Sequence, residues 1–287
     1  MLAVFKKELR AYFTSMTGYI FMASFLFFTG LFFTLLNLGG GSPNFNNVLS
    51  NIQFIFLLAV PMLTMRLIAE EAKQKTDQLL LTSPLPLRDI VVGKYLAAVS
   101  VFLGALVITF LYPMIMSTMG EIAWSEIIGG YIGFFLFGCA LIAVGLFISS
   151  VTENQVVAAV LTFTALLVLW LIDAIIQGLP IDRTSGIFFA GALVVALAAV
   201  IYFTTKNIYV SAGTSLVGLV AILAAYIFKP AFYDGLMPRV LQWFSLYSRY
   251  GEFDMGVLSL SPMVYYITFS SAFVFLTIRM LEKKRWS

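Results

Sequence analysis

Long apolar runs alternate with short polar or Pro/Gly-containing segments along the whole chain. A helical membrane span needs about 20 mostly apolar residues. Eight runs meet that length, near 18–38, 48–67, 95–118, 127–150, 156–176, 187–205, 208–228 and 262–280. The pattern therefore predicts an all-α fold, a polytopic transmembrane helix bundle. Only Thr204–Asn207 divides the sixth run from the seventh, and Lys206 and Asn207 suit a tight hairpin turn. The loop Gly39–Asn44 reads as a flexible turn. The first run follows Lys6, Lys7 and Arg10 like a signal peptide, but it is longer than the usual apolar region and no A-x-A site follows. It is read as an uncleaved span.

Lys and Arg set the expected orientation, because they are retained on the cytoplasmic side. With the N-terminus inside, Lys6, Lys7, Arg10, Arg66, Lys73, Lys75, Arg88, Lys94, Lys206, Arg279, Lys283, Lys284 and Arg285 all face the cytoplasm. Only Arg183, Lys229, Arg239 and Arg249 fall outside. An even number of spans then puts both termini in the cytoplasm.

The segments between the spans carry more detail. In residues 1–16, Phe5, Leu9, Tyr12, Phe13 and Met16 fall at helical spacing opposite Lys6, Lys7 and Arg10. That pattern predicts an amphipathic helix in the cytoplasmic interface, or a plain orientation signal. Residues 68–94 form an amphipathic cytoplasmic elbow. Its first part reads as a helix with Ala72, Thr76, Leu79 and Leu80 on one face and Glu70, Lys73 and Asp77 on another. Pro84 and Pro86 end that helix, because proline disfavours helical backbone before it and lacks an N–H. A second helix starts near Pro86 and runs into the third span. Leu79, Leu80 and Leu81 near the tip suit docking into the groove of a cytoplasmic partner.

Residues 177–228 hold the sixth and seventh runs, an extra helical hairpin. Residues 229–261 are rich in aromatic side chains, among them Trp243, Phe244, Tyr247, Tyr250 and Phe253. They read as a re-entrant outer hairpin at headgroup level. One short helix is expected across Leu241, Phe244, Ser245, Tyr247 and Ser248, broken by Gly251 and Gly256.

Composition narrows the chemistry. The chain is 61% hydrophobic and 11% charged, where soluble domains carry roughly a quarter charged residues. With no His, there is no imidazole base and no His-ligated metal. Cys139 is the lone cysteine and sits in an apolar run, which suits a packed thiol. The net charge of +3 is modest, and the basic residues stand beside apolar runs. They point to a membrane surface and not to nucleic acid. There is no G-x-x-x-x-G-K-[ST] phosphate loop, and Gly213–Gly218 lacks the lysine. This chain is thus expected to be no enzyme and to bind no cofactor.

Asp173 is the acidic residue inside an apolar run, about one turn from the end of its span. It reads as snorkelling or as pairing across a dimer seam. Glu153, in the turn before the fifth span, reads as a helix cap or a partner contact. Gly129, Gly130, Gly133 and Gly138 suit close helix packing.

The elbow resembles that of ABC-2 type exporter permeases, closest to the gliding-motility-type and nitrous-oxide-reductase-maturation-type subunits. The resemblance rests on Glu70, Glu71, Thr76, Leu79, Leu80, Thr82, Ser83 and Pro84, with Gly93 and Lys94 opening the third span. The stretch Leu241–Leu258, with Trp243, Phe244, Ser245, Tyr250, Phe253 and Gly256, is similar to the family's segment before its last span. The likeness covers 1–176 and 238–287, and 177–237 depart from the six-span pattern.

This resemblance implies a permease in the cell membrane whose elbow docks on a separate cytoplasmic ABC ATPase. That ATPase would carry the ATP and Mg²⁺. A second permease half, identical or different, would complete the complex, and the outer segment would act as a gate. The residues alone leave two other readings, a secondary transporter and a non-transporting membrane scaffold. They do not name a substrate.

Overall fold

The computed structural model describes residues 1–76, 85–228 and 230–286, and all regular structure among them is helical. Eight helices are long and apolar enough to cross a membrane: Met16–Gly39, Asn46–Thr64, Leu87–Ser117, Trp124–Val151, Gln155–Gln177, Arg183–Phe203, Ile208–Phe228 and Leu260–Arg285. They are the first to eighth spans below. A helix satisfies its own backbone hydrogen bonds, as a hydrocarbon surrounding requires.

The third span continues the elbow's second helix, as the sequence predicts. It starts at Leu87, directly after the extended Pro86, and so carries the charged end of the elbow as helix. The first span ends in a π-helical stretch, Phe33–Gly39. The Asn37 amide there donates to the carbonyls of Ser42 (2.7 Å) and Asn44 (3.2 Å), pinning the following turn.

The chain divides into two compact units. The first comprises Met1–Trp170 and Arg249–Ser287. Spans one to four meet around five phenylalanines, Phe25, Phe56, Phe102, Phe134 and Phe137, all buried. Ring centroids lie 5.0 Å apart for Phe56 and Phe134, and 5.4 Å apart for Phe56 and Phe102. Gly138 is needed here, because a Cβ would overlap the Phe102 ring. Lipid tails are as apolar as these side chains, so close packing and not water exclusion holds the helices together.

This unit has two polar ends. Residues 1–15, the elbow helix Ala69–Lys73 and the end of the eighth span share one, where the Lys284 ammonium donates to the Ser150 carbonyl at 2.8 Å. The starts of the second and fourth spans share the other, where the Asn46 amide donates to the Glu126 carbonyl.

The second unit is Leu171–Ser248. Its sixth and seventh spans form an antiparallel hairpin. Lys206 turns it in the left-handed region (φ 49°), and Asn207 Oδ1 accepts from the Tyr209 amide. Within the hairpin the Ser211 hydroxyl donates to the Ala198 carbonyl at 2.7 Å. The segment after it returns through Tyr233, whose hydroxyl donates to the Ile222 carbonyl. Arg183 grips the Asp234 carboxylate with two donors, at 3.0 and 3.3 Å, and holds that carboxyl below its ordinary value.

Candidate functional site

The elbow end is organised by one buried lysine. Lys94 lies seven residues into the third span, roughly 10 Å from its start. Its side chain is 2% exposed. Burying an ammonium that far demands paired charge. Two carboxylates meet it, Glu71 at 2.9 Å and Glu8 at 3.0 Å. Lys7, itself exposed, closes the cluster from the solvent side at 3.6 Å from Glu71 and 3.8 Å from Glu8. Two ammonium groups and two carboxylates leave the group neutral. It ties together three separate stretches of chain: the N-terminal helix Leu2–Thr14, the elbow helix Ala69–Lys73 and the third span.

Packing fixes the same three pieces. The N-terminal helix crosses the third span so closely that a Cβ on Gly93 would press on Val4 at 3.1 Å. One turn along from Glu8, Tyr12 is buried, and its hydroxyl donates to the Leu63 carbonyl at 2.6 Å. Burial, with Glu8 nearby, pushes the Tyr12 phenol far above its usual range, so it remains a donor. Tyr12→Phe is expected to cost about 1 kcal/mol, read as a lower thermal midpoint of the detergent-solubilised protein. Val4, Glu8 and Tyr12 thus turn inward to the bundle, while Lys6, Arg10, Phe13 and Met16 are exposed. On the other side of the elbow helix, the Ser149 hydroxyl accepts from the amides of Ile68 (3.2 Å) and Ala69 (3.1 Å). The elbow base is therefore held by the second, third and fourth spans and by the N-terminal helix.

The elbow helix is shorter than its pattern suggests. It stops at Lys73; Lys75 then takes φ 55° and the Thr76 amide bonds back to the Glu71 carbonyl. Between this helix and the N-terminal one lies a cleft of about 650 Å³, lined by Val4, Glu8, Glu70, Glu71, Thr76 and Lys94 among others.

Before the eighth span, the expected single helix is two: Leu236–Gln242 and Tyr247–Asp254. Ser245 accounts for the break, because its hydroxyl caps the second helix by accepting from the Ser248 amide at 3.2 Å. Gly251 lies inside that helix, and Gly256 ends it at φ 72°. Phe253 and Tyr250 are buried against the fourth span. Phe253 fills the space a Gly133 side chain would need, and the Tyr250 hydroxyl reaches the Gly130 carbonyl at 3.4 Å. Fully buried Asn46 joins the parts, its amide donating to the carbonyls of Glu126 (3.0 Å) and Asp254 (3.1 Å). The Ser50 hydroxyl donates to the Asp254 carboxylate.

The family model described as ABC-2 family transporter protein matches residues 33–181, just over half of the chain. The chain belongs to the ABC-2 transporter family. It is thus a multi-pass membrane component of the transport type. Comparison with curated proteins and with solved structures finds no match. The family match takes in the second to fifth spans and the whole elbow. It stops at residue 181.

In this ABC-2 chain, Glu70, Glu71 and Thr76 of the expected coupling set line one cleft. Leu79, Leu80, Thr82, Ser83 and Pro84 lie outside the described residues. Of the expected outer set, Tyr250, Phe253 and Gly256 gather on the start of the fourth span. Trp243 (74% exposed) and Phe244 belong to the second unit and are exposed, while Ser245 is buried as the cap. Glu153 does not cap the fifth span: Asn154 does, its Oδ1 accepting from the Val156 amide at 2.9 Å. Asp173 is half-exposed and forms no ion pair among the described residues.

Sequence reasoning missed Glu8 and Asn46. Glu8 carries a faint signal, as the one acid in a basic helix, one turn before Tyr12 on its buried side. Asn46 carries none beyond being polar at the mouth of an apolar run.

Proposed function

We propose that this chain is the membrane-spanning permease of an ATP-driven exporter. In this reading it couples to a separate cytoplasmic ABC ATPase through the elbow and resembles most the gliding-motility-type and nitrous-oxide-reductase-maturation-type subunits. The observation that carries the reading is the buried Lys94–Glu8–Glu71 cluster. It welds the base of the elbow to the third span and the N-terminal helix, so a push on the elbow tip would move spans instead of bending a loop. Bistable packed interfaces transmit such small displacements as rigid-body shifts. The family membership and the lack of a phosphate loop in this sequence both favour an ATPase on another polypeptide. The Lys and Arg bias favours a cytoplasmic elbow and cytoplasmic ends, and the cell membrane is the membrane that the family resemblance implies. A second permease half, the same chain or another, completes the path, and the Tyr247–Leu258 segment covers its outer end.

The test is a mild-detergent pull-down from native membranes, with mass spectrometry and an ATPase assay on the eluate. An ABC ATPase is expected to co-purify and to be lost in Leu79→Asp and Leu80→Asp, with membrane insertion unchanged. An eluate with no ATPase and no response to nucleotide would overturn the reading and favour a secondary transporter or a scaffold.

A further inference from the structure

The elbow end holds a second cleft that the proposed coupling does not use. It lies between the start of the third span and the end of the eighth, has a volume of about 470 Å³, and is lined by Pro86, Leu87, Arg88, Glu282 and Arg285. That volume is within the usual range for small-ligand sites. Its charge is unbalanced. Glu282 is taken by Arg279, at 2.7 Å. Asp89, next along the helix, pairs with the Met1 ammonium at 2.9 Å. Among the described residues Arg88 and Arg285 make no ion pair and no hydrogen bond. Two exposed guanidiniums thus face one cleft with no carboxylate to spare.

Their depth says what kind of anion belongs there. Arg88 is the second residue of the third span and Arg285 the last of the eighth. The apolar runs end near residues 95 and 280, so Arg88 and Arg285 stand roughly 10 Å and roughly 8 Å beyond them along their helices, about the depth of lipid headgroups. Phe275 and Leu276, exposed and apolar, lie about three turns deeper on the eighth span, where acyl chains run. The guanidinium fork matches two phosphate oxygens and holds its charge at any working pH. Basic clefts between spans at this level suit anionic headgroups.

We propose that the Arg88–Arg285 cleft binds the phosphate headgroup of an anionic lipid from the leaflet at the elbow end. Bound there, the lipid bridges the third and eighth spans beside the elbow, and its negative charge offsets the two unpaired guanidiniums in part. The site is independent of any ATPase.

The experiment is native mass spectrometry of the full chain in detergent, titrated separately with dioleoyl phosphatidylglycerol, dioleoyl phosphatidylcholine and inorganic phosphate. A tightly held phosphatidylglycerol is expected, with phosphatidylcholine binding weakly. Arg88→Gln/Arg285→Gln should weaken the anionic lipid about 30-fold, roughly a factor of five for each basic residue at an anionic surface. The control Lys73→Gln/Lys75→Gln removes equal charge from exposed positions at the same end and should bind as the unaltered chain does. Equal losses in both double variants would overturn the proposal, leaving only a diffuse basic field. Displacement of the lipid by millimolar phosphate would overturn it too, assigning the cleft to a soluble anion. Arg88→Lys/Arg285→Lys should retain part of the affinity if the variants are folded, and size-exclusion profiles report folding directly.

Discussion

Lys94→Met is expected to destabilise the permease by about 3 kcal/mol, the low end for breaking one partner out of a buried ion pair. Methionine preserves length and fills the same space, so lost packing contributes little. What remains is two carboxylates, Glu8 and Glu71, facing each other beside the third span with only the exposed Lys7 to offset them. Thermal unfolding in detergent should show a clear drop in midpoint. Adding Glu8→Gln and Glu71→Gln removes the stranded charges and should restore most of the stability, since an uncharged cluster carries no such penalty. The triple variant should still fail to pass movement from the elbow to the spans, because neutral amides do not hold a fixed register. If Lys94→Met melts like the unaltered chain, the cluster does not hold the elbow base.

Phe253→Ala is the second large effect, about 3 kcal/mol or more, as for other buried aromatic truncations. The ring is fully buried, 6.3 Å from both Tyr250 and Tyr266, and seated where Gly133 has no side chain. Gly133→Ala attacks the same contact from the other side, because the new Cβ overlaps the ring. Each single variant should loosen the outer helix Tyr247–Asp254 and lower the melting midpoint. The double variant should cost less than the sum, because the smaller side chain at 253 leaves room for the added methyl. Strict additivity would mean that the two positions do not touch.

Spans were readable because their signal is local: an apolar run of sufficient length needs no partner to be recognised. The turn at Lys206–Asn207 and the start of a helix after Pro86 were legible for the same reason, since they depend on the backbone preferences of adjacent residues. What escaped depends on contacts distant in sequence. Glu8 and Lys94 are 86 positions apart, and nothing local marks them as a pair. Asn46 gains its role only when the starts of the second and fourth spans and the end of the outer helix converge. The phenylalanine core is similar: with 28 phenylalanines in the chain, the pattern does not say which five meet. The outer segment was misread as one helix because aromatic spacing outweighed a single serine cap, and glycine was taken as a breaker where Gly251 is tolerated within a turn of helix. Asn154, and not its neighbour Glu153, caps the fifth span, as asparagine's strong preference for that position allows.

The measurement that bears most directly on coupling is site-specific photo-crosslinking in native membranes, with the photoreactive amino acid placed in turn at Leu80 and at Trp243. An adduct between position 80 and an ABC ATPase subunit, absent from position 243, is the expected result. Adducts to no ATPase from position 80, or equal adducts from both positions, would contradict the coupled-permease reading.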